Sequence, residues 1–229
     1  MLLSRQIFFI FAFSGASCFY ILVMTQPSEI YHLHLGKDKK FLPIMVSPLP
    51  ALAIRKNIAL RLIASIMSQQ LSVKVADVIY KRFLALYDGK EPTPQQILDT
   101  PPETLRSIGL SNAKVSYVHN VARFTVEEKL TDKKLQKMDN DEVIIYLTQI
   151  KGVGRWTVEM LLMFYLGRED VFAIDDLGIQ QAMIKLYKLD KTDKKAFREK
   201  LLKISAKWSP YRTYACRYLW AWKDMKPTA

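Results

Sequence analysis

From Pro50 onward, the apolar residues of this 229-residue chain recur at spacings of three and four almost without a break. That is the period of helices with one face turned to a core, and it leaves little of the strict alternation that half-buried strands need. Ala59, Leu62, Ile63, Ile66 and Met67 form one such face. Ser72 opens a second helix, along which Val75, Val78, Ile79, Arg82, Phe83 and Leu86 run to a stop at Gly89. Thr93-Pro94-Gln95-Gln96 and Thr100-Pro101-Pro102-Glu103 read as capping boxes with proline at the first helical position. Ser111 caps a helix carrying Val115, Val118, Val121, Ala122 and Val126, and Asp139-Asn140-Asp141-Glu142 starts the run 143–149. Further helices are expected over 157–165, 176–187 and 192–205, with a last one from Ser209. With 8 glycines and 10 prolines, the chain lacks the turn residues of a sandwich or propeller. The patterns predict an all-α body of roughly nine or ten short helices and no strand.

Half of the residues are hydrophobic and 24% are charged, which excludes a disordered or fibrous chain. Lys and Arg number 34 against 22 Asp and Glu, a net charge of +12 that suits a polyanionic partner, nucleic acid or an anionic membrane surface. Lys-rich stretches such as Lys37-Asp38-Lys39-Lys40, Lys133-Lys134 and Lys191-Thr192-Asp193-Lys194-Lys195 read as solvated faces that add diffuse attraction to phosphates. Cys18 and Cys216 are too few for a four-thiolate cluster or a structural zinc site. His32, His34 and His119 lack metal-ligand spacing beyond a loose His-x-His, so no metal site is expected.

Residues 1–28 stand apart. No charge occurs between Arg5 and Glu29, and residues 7–24 are strongly apolar. Arg5, the apolar run and Ser14-Gly15-Ala16-Ser17 before Cys18 imitate an export signal, even a lipoprotein one, and 18 residues just reach membrane-spanning length. A start at Met24, which opens the polar Met24-Thr25-Gln26-Pro27-Ser28, is the third reading and the one favoured.

The most informative segment is Gln149-Ile150-Lys151-Gly152-Val153-Gly154-Arg155-Trp156-Thr157. A helix ends in a Gly-x-Gly turn and another begins at once. Two glycines let the backbone turn tightly and approach a ligand, and the N–H groups at the second helix's start can face an anion such as a DNA phosphate. Taken alone, Gly-x-Gly is equally a plain helix–helix connection. Asp175-Asp176 follows 20 positions after Trp156, beyond the apolar Val171-Phe172-Ala173-Ile174. Taken alone, a carboxylate pair there suits a helix cap.

This layout resembles the helix-hairpin-helix DNA glycosylases, and most closely the monofunctional 3-methyladenine DNA glycosylase II branch. Ser68-Gln69-Gln70-Leu71-Ser72-Val73-Lys74, Gly109-Leu110-Ser111-Asn112-Ala113-Lys114, Trp208-Ser209-Pro210-Tyr211-Arg212 and Tyr218-Leu219-Trp220 extend the resemblance across roughly residues 30 to 225. It implies an all-α fold of two helical subdomains with the active cleft between them. One spans about 58–168; the other combines about 29–57 with 169–229, and together they make a glycosylase domain over 29–229.

By the same resemblance, Asp176 is the catalytic aspartate, with Asp175 as its fallback. Trp156 and Trp220 are walls of the base pocket. Gly152, Val153, Gly154 and Thr157 form the phosphate-binding hairpin, and Gln69, Gln70 and Leu71 are the wedge that enters the duplex. Ala221 departs from relatives that have an aromatic residue there, and Gln70 stands where some relatives carry leucine. Tryptophan at 156, where the lyase branches carry a nucleophilic lysine, implies excision without strand cleavage. The implied protein excises alkylated purines from double-stranded DNA in base excision repair and leaves an abasic site. It would act as a monomer in the cytoplasm, at the nucleoid if bacterial, without organic cofactor or redox metal. At most a structural monovalent cation would sit at the hairpin carbonyls near Gly152. A glycosylase for another lesion, a non-catalytic DNA-binding module and an exported or membrane-anchored protein are the alternatives.

Overall fold

The computed structural model describes the backbone at residues 8–10, 21–23 and 27–225, and side chains from 30 to 225. Arg5, Cys18, Met24 and most of the 1–28 extension lie outside the described residues. Within that extension, β1 (Phe8–Ile10) pairs antiparallel with β2 (Ile21–Val23), Phe8 opposite Val23. That short pairing is the one departure from the helical expectation. From Pro27 onward the described residues form twelve α-helices. By its contacts the chain divides into two compact units, residues 52–173, and residues 1–51 with 174–229.

Residues 52–173 are organised on three helices, α2 (Ile58–Ser68), α6 (Asn112–Glu127) and α9 (Arg155–Phe164), with α2 packed on both others. Leu62, Ile63 and Ile66 of α2, Val118, Val121 and Ala122 of α6, and Val158, Leu161 and Leu162 of α9 are buried. Each larger side chain among these contributes about 1.5–3 kcal/mol of transfer free energy. Around them lie α3 (Val73–Ala85), α4 (Pro94–Asp99), α5 (Pro102–Ser107), α7 (Asp132–Lys137) and α8 (Asn140–Leu147). The start of α2 is held from a distance in sequence: Asp132 Oδ2 and Oδ1 accept from Asn57 N (2.8 Å) and Ile58 N (2.9 Å). At the other end of α7, Arg168 Nη2 donates to the carbonyls of Leu135, Gln136 and Met138.

In the second unit, α1 (Pro27–Leu35), α10 (Leu177–Tyr187), α11 (Lys194–Ser205) and α12 (Arg212–Asp224) are joined by 3-10 turns at Leu42–Ile44 and Ala206–Trp208. Its core is aromatic. Trp208 is fully buried with its ring 5.0 Å from that of Phe41, and Tyr31 stacks on Tyr214 at 3.9 Å. Tyr31, Tyr218 and Arg217 donate to the carbonyls of Leu49, Ser47 and Pro50, so α1 and α12 pin that stretch.

Several sequence expectations change here. Thr100 does not open a capping box: α5 is capped by Pro101 without a side-chain bond, and the Thr100 hydroxyl donates to Gln96 O and meets Tyr87 Oη at 2.8 Å. Val75 and Val78 lie on the exposed side of α3, which buries Ile79 and Phe83. The helix expected over 157–165 begins two residues earlier, at Arg155. Short helices α1 and α7 were not anticipated. Among the described residues, no helix is long and apolar enough to cross a membrane, and no three His, Cys, Asp or Glu side chains gather as a metal site.

Asp132→Ala removes the acceptor for two amides at the start of α2, a loss of about 1–3 kcal/mol. Urea unfolding should show the midpoint falling accordingly; a wild-type midpoint would show that water replaces the carboxylate at no cost.

Candidate functional site

Two loops and one carboxylate hold the residues that the sequence marks as candidates. The first loop is the hairpin between α8 and α9. Gly152 sits at φ +105°, in the region that favours glycine, and a Cβ there would come within 2.7 Å of Tyr117 Cβ and overlap its ring. Both the backbone and the neighbour therefore exclude a side chain. Asn120 Nδ2 fixes the turn by donating to Lys151 O at 3.1 Å. Val153 has a task inside the turn: its N–H donates to Ile150 O and its side chain is buried.

Gly154 is the N-cap of α9, at φ −91°, and a Cβ built on it meets nothing within 4 Å. No internal contact requires glycine there. Its smallness leaves the positive end of a ten-residue helix open to an approaching anion. Thr157 is 4% exposed, so the residue as a whole is buried in the first turn of α9. Trp156 is 43% exposed, which removes it from the core. Arg155 Nε is 2.9 Å from Glu159 Oε1, a carboxylate buried on the same helix.

The second loop is the link from α2 to α3. Gln69 ends α2, Gln70 is exposed at φ +59°, Leu71 is half-buried, and Ser72 caps α3 by accepting from Val75 N. A left-handed glutamine is uncommon and is held there only by its surroundings. Val73, at the start of α3, is 89% exposed, an apolar side chain beside the loop that the sequence pattern did not single out.

Helix α6 serves both loops. Tyr117 and Asn120 meet the hairpin, while Lys114 Nζ donates to Met67 O (2.9 Å) and Gln69 O (2.7 Å) at the end of α2. These three residues are spaced by three and follow one side of the helix.

The carboxylate belongs to the second unit. Asp176 is half-buried and caps α10, its Oδ1 accepting from Ile179 N at 2.8 Å and from Trp220 Nε1 at 3.0 Å. Trp220 is thus joined to Asp176 by a hydrogen bond and is half-buried on α12. Gly178 leaves room beside the pair. A Cβ there would lie 3.1 Å from Asp176 Oδ1 and 3.3 Å from Trp220 Cδ1, closer than ordinary contact. Sequence reasoning missed Gly178, and no local pattern marks it. Asp175 turns elsewhere, its Oδ1 2.6 Å from Arg198 Nη1 in an exposed ion pair. An exposed pair of that kind contributes about 0–1 kcal/mol.

The two hairpin glycines should therefore respond differently. Gly152→Ala should lower stability by about 1–3 kcal/mol, through a forced left-handed alanine and displacement of Tyr117. On the reading of this turn as a phosphate site, Gly154→Val should leave the fold intact and weaken binding to damaged and undamaged duplex alike, since amide contacts to phosphate carry no base information. Thermal melts with duplex titrations by fluorescence anisotropy check both. Equal destabilisation by the two substitutions would contradict the difference in their surroundings.

The HhH-GPD superfamily of base excision DNA repair proteins matches residues 63–207. DNA-3-methyladenine glycosylase 1 of Schizosaccharomyces pombe is 41% identical over 161 residues, covering 69% of this chain and 69% of that protein. The solved structure of Schizosaccharomyces pombe 3-methyladenine DNA glycosylase in complex with abasic DNA superposes with a TM-score of 0.71 at 35% identity, covering 83% of this chain and 95% of that one. A DNA-3-methyladenine glycosidase from Bacillus halodurans gives a TM-score of 0.75 at 32% identity, covering 87% and 90%. With its helix-hairpin-helix turn at Gly152 and Gly154 and its capping aspartate at 176, the chain belongs to the HhH-GPD superfamily of base excision DNA repair proteins.

Proposed function

We propose that this protein is a monofunctional DNA glycosylase that removes alkylated purines of the 3-methyladenine type from duplex DNA and leaves an abasic site. The observation that carries the proposal is Asp176: a half-buried carboxyl group held by Ile179 N and Trp220 Nε1, in a chain of this family. Breaking an N-glycosidic bond puts positive charge on the sugar as the base departs. A carboxylate fixed beside that carbon stabilises the charge and can orient or deprotonate the attacking water. Capping and catalysis are compatible here, since the bonds to Oδ1 fix the group whose charge does the work.

The other residues take supporting parts. Trp156, exposed at the start of α9, offers an indole face to a cationic alkylated purine, an attraction of about 0.5–2 kcal/mol. Trp220 orients Asp176 through its indole N–H and is the candidate for a second aromatic surface toward the base. The open start of α9 at Gly154 takes a phosphate, and the 69–71 loop fills the space an extruded base leaves. Two hairpin carbonyls each accept one hydrogen bond, Ile150 O from Val153 N and Lys151 O from Asn120, and each keeps a second lone pair for a structural monovalent cation. An indole cannot attack the sugar as an amine does, so Trp156 supports a reaction that ends at the abasic site.

Purified protein incubated with duplex DNA methylated by dimethyl sulfate should release methylated purines, identified by chromatography. The strands should stay intact until alkali is added, and borohydride should trap no protein–DNA adduct. A trapped adduct mapping to a lysine would overturn the monofunctional assignment. Failure to release any base would leave a DNA-binding module in its place.

A further inference from the structure

Only four residues, 69–72, separate the end of α2 at Ser68 from the start of α3 at Val73. Both flanking helices are anchored by buried side chains, Ile66 and Met67 on one side and Ile79 and Phe83 on the other. The loop's shape is therefore decided chiefly at Gln70, whose left-handed φ of +59° an L side chain rarely adopts unaided. The Lys114 side chain reaches this loop from α6. Its ammonium donates to Met67 O and Gln69 O, one carbonyl on each side of Ser68. A cation at a helix C-terminus satisfies carbonyls that no intrahelical amide reaches. Partial burial pushes the Lys114 amine below the usual lysine value.

We propose that Lys114 is a positioning residue that sets the 69–71 loop in its duplex-entering shape, by clamping the Met67 and Gln69 carbonyls and so fixing Gln70 in the left-handed conformation. The proposal rests on the reading of Gln69, Gln70 and Leu71 as the wedge. Lys114 itself touches neither the base nor the sugar. Its clamp leaves the Gln70 side chain exposed and Val73 projecting beside it. The basic residue of the Gly109–Lys114 motif thereby acquires a part distinct from diffuse attraction to phosphate.

The test uses the full chain and a duplex carrying a tetrahydrofuran abasic analogue opposite 2-aminopurine. Anisotropy reports binding, and 2-aminopurine fluorescence reports entry of the loop into the stack. Lys114→Met should bind within about threefold of wild type, because counter-charges elsewhere dominate affinity, yet lose more than half of the fluorescence change. Lys114→Arg, which keeps a cationic donor, should restore most of it. Should Lys114→Met fail to fold, Lys114→Gln is read in the same assay with the same expected loss. Gln70→Ala and Leu71→Ala separate the two levels of the argument. If they abolish the fluorescence change while the Lys114 variants keep it, the clamp is overturned and the wedge stands. If both loop variants keep the full change, the wedge reading falls and the clamp's role falls with it. A loss of affinity parallel to the loss of fluorescence in Lys114→Met would also overturn the proposal, reducing Lys114 to a phosphate contact or a fold element.

Discussion

The hydrogen bonds to Asp176 Oδ1 are the constraint around which the 174–229 helices are arranged. One donor, Ile179 N, makes Asp176 the start of α10; the other, Trp220 Nε1, comes from α12 more than forty residues later. For the second bond to form, α12 must pack against α10, and glycine at 178 keeps a side chain from crowding the indole. The aromatic core of Tyr31, Phe41, Trp208, Tyr214 and Tyr218 supplies the packing that holds α12 in place. A charge intended to act at one point needs such rigid support, because a carboxylate free to rotate would reorganise with each turnover.

Residues 52–173 solve a different problem, the rigid presentation of two short loops. Helix α6 does this with one side of its surface while burying Val115, Val118, Val121 and Ala122 on the other. Lys114 holds the end of α2, Tyr117 packs into the space left by the missing side chain of Gly152, and Asn120 ties Lys151. The spacing between the two loops is thereby fixed by the rise of a single helix.

Much of this was legible in the sequence, and the gaps have physical causes. The caps at Ser72, Thr93, Ser111 and Asp139 are local, so a few residues suffice to read them. Thr100 looked the same but follows α4 closely enough for its hydroxyl to close that helix's last turn. The apolar period of α3 gave the helix but could not say that Val75 and Val78 would face outward. Helix α7 has six residues and buries one, Leu135, which is too little for periodicity to register. At the candidate site, the glycine turn and Asp176 were visible, whereas the contacts that account for Gly152, Gly178 and Lys114 include partners 35 or more positions away in sequence. Cap and catalyst were posed as alternatives for Asp176; the geometry makes the cap a fact and leaves the charge available to be tested.

That test is single-turnover excision from methylated duplex by Asp176→Asn, with a thermal melt and a DNA titration on the same preparation. Asn is nearly isosteric, and its Oδ1 can still accept from Ile179 N and Trp220 Nε1, so fold and affinity should hold. On the proposed role, loss of the Asp176 charge should cost on the order of 3–4 kcal/mol, a hundredfold or more in rate. Excision at the wild-type rate by the folded variant would contradict the account, making Asp176 a helix cap and nothing more.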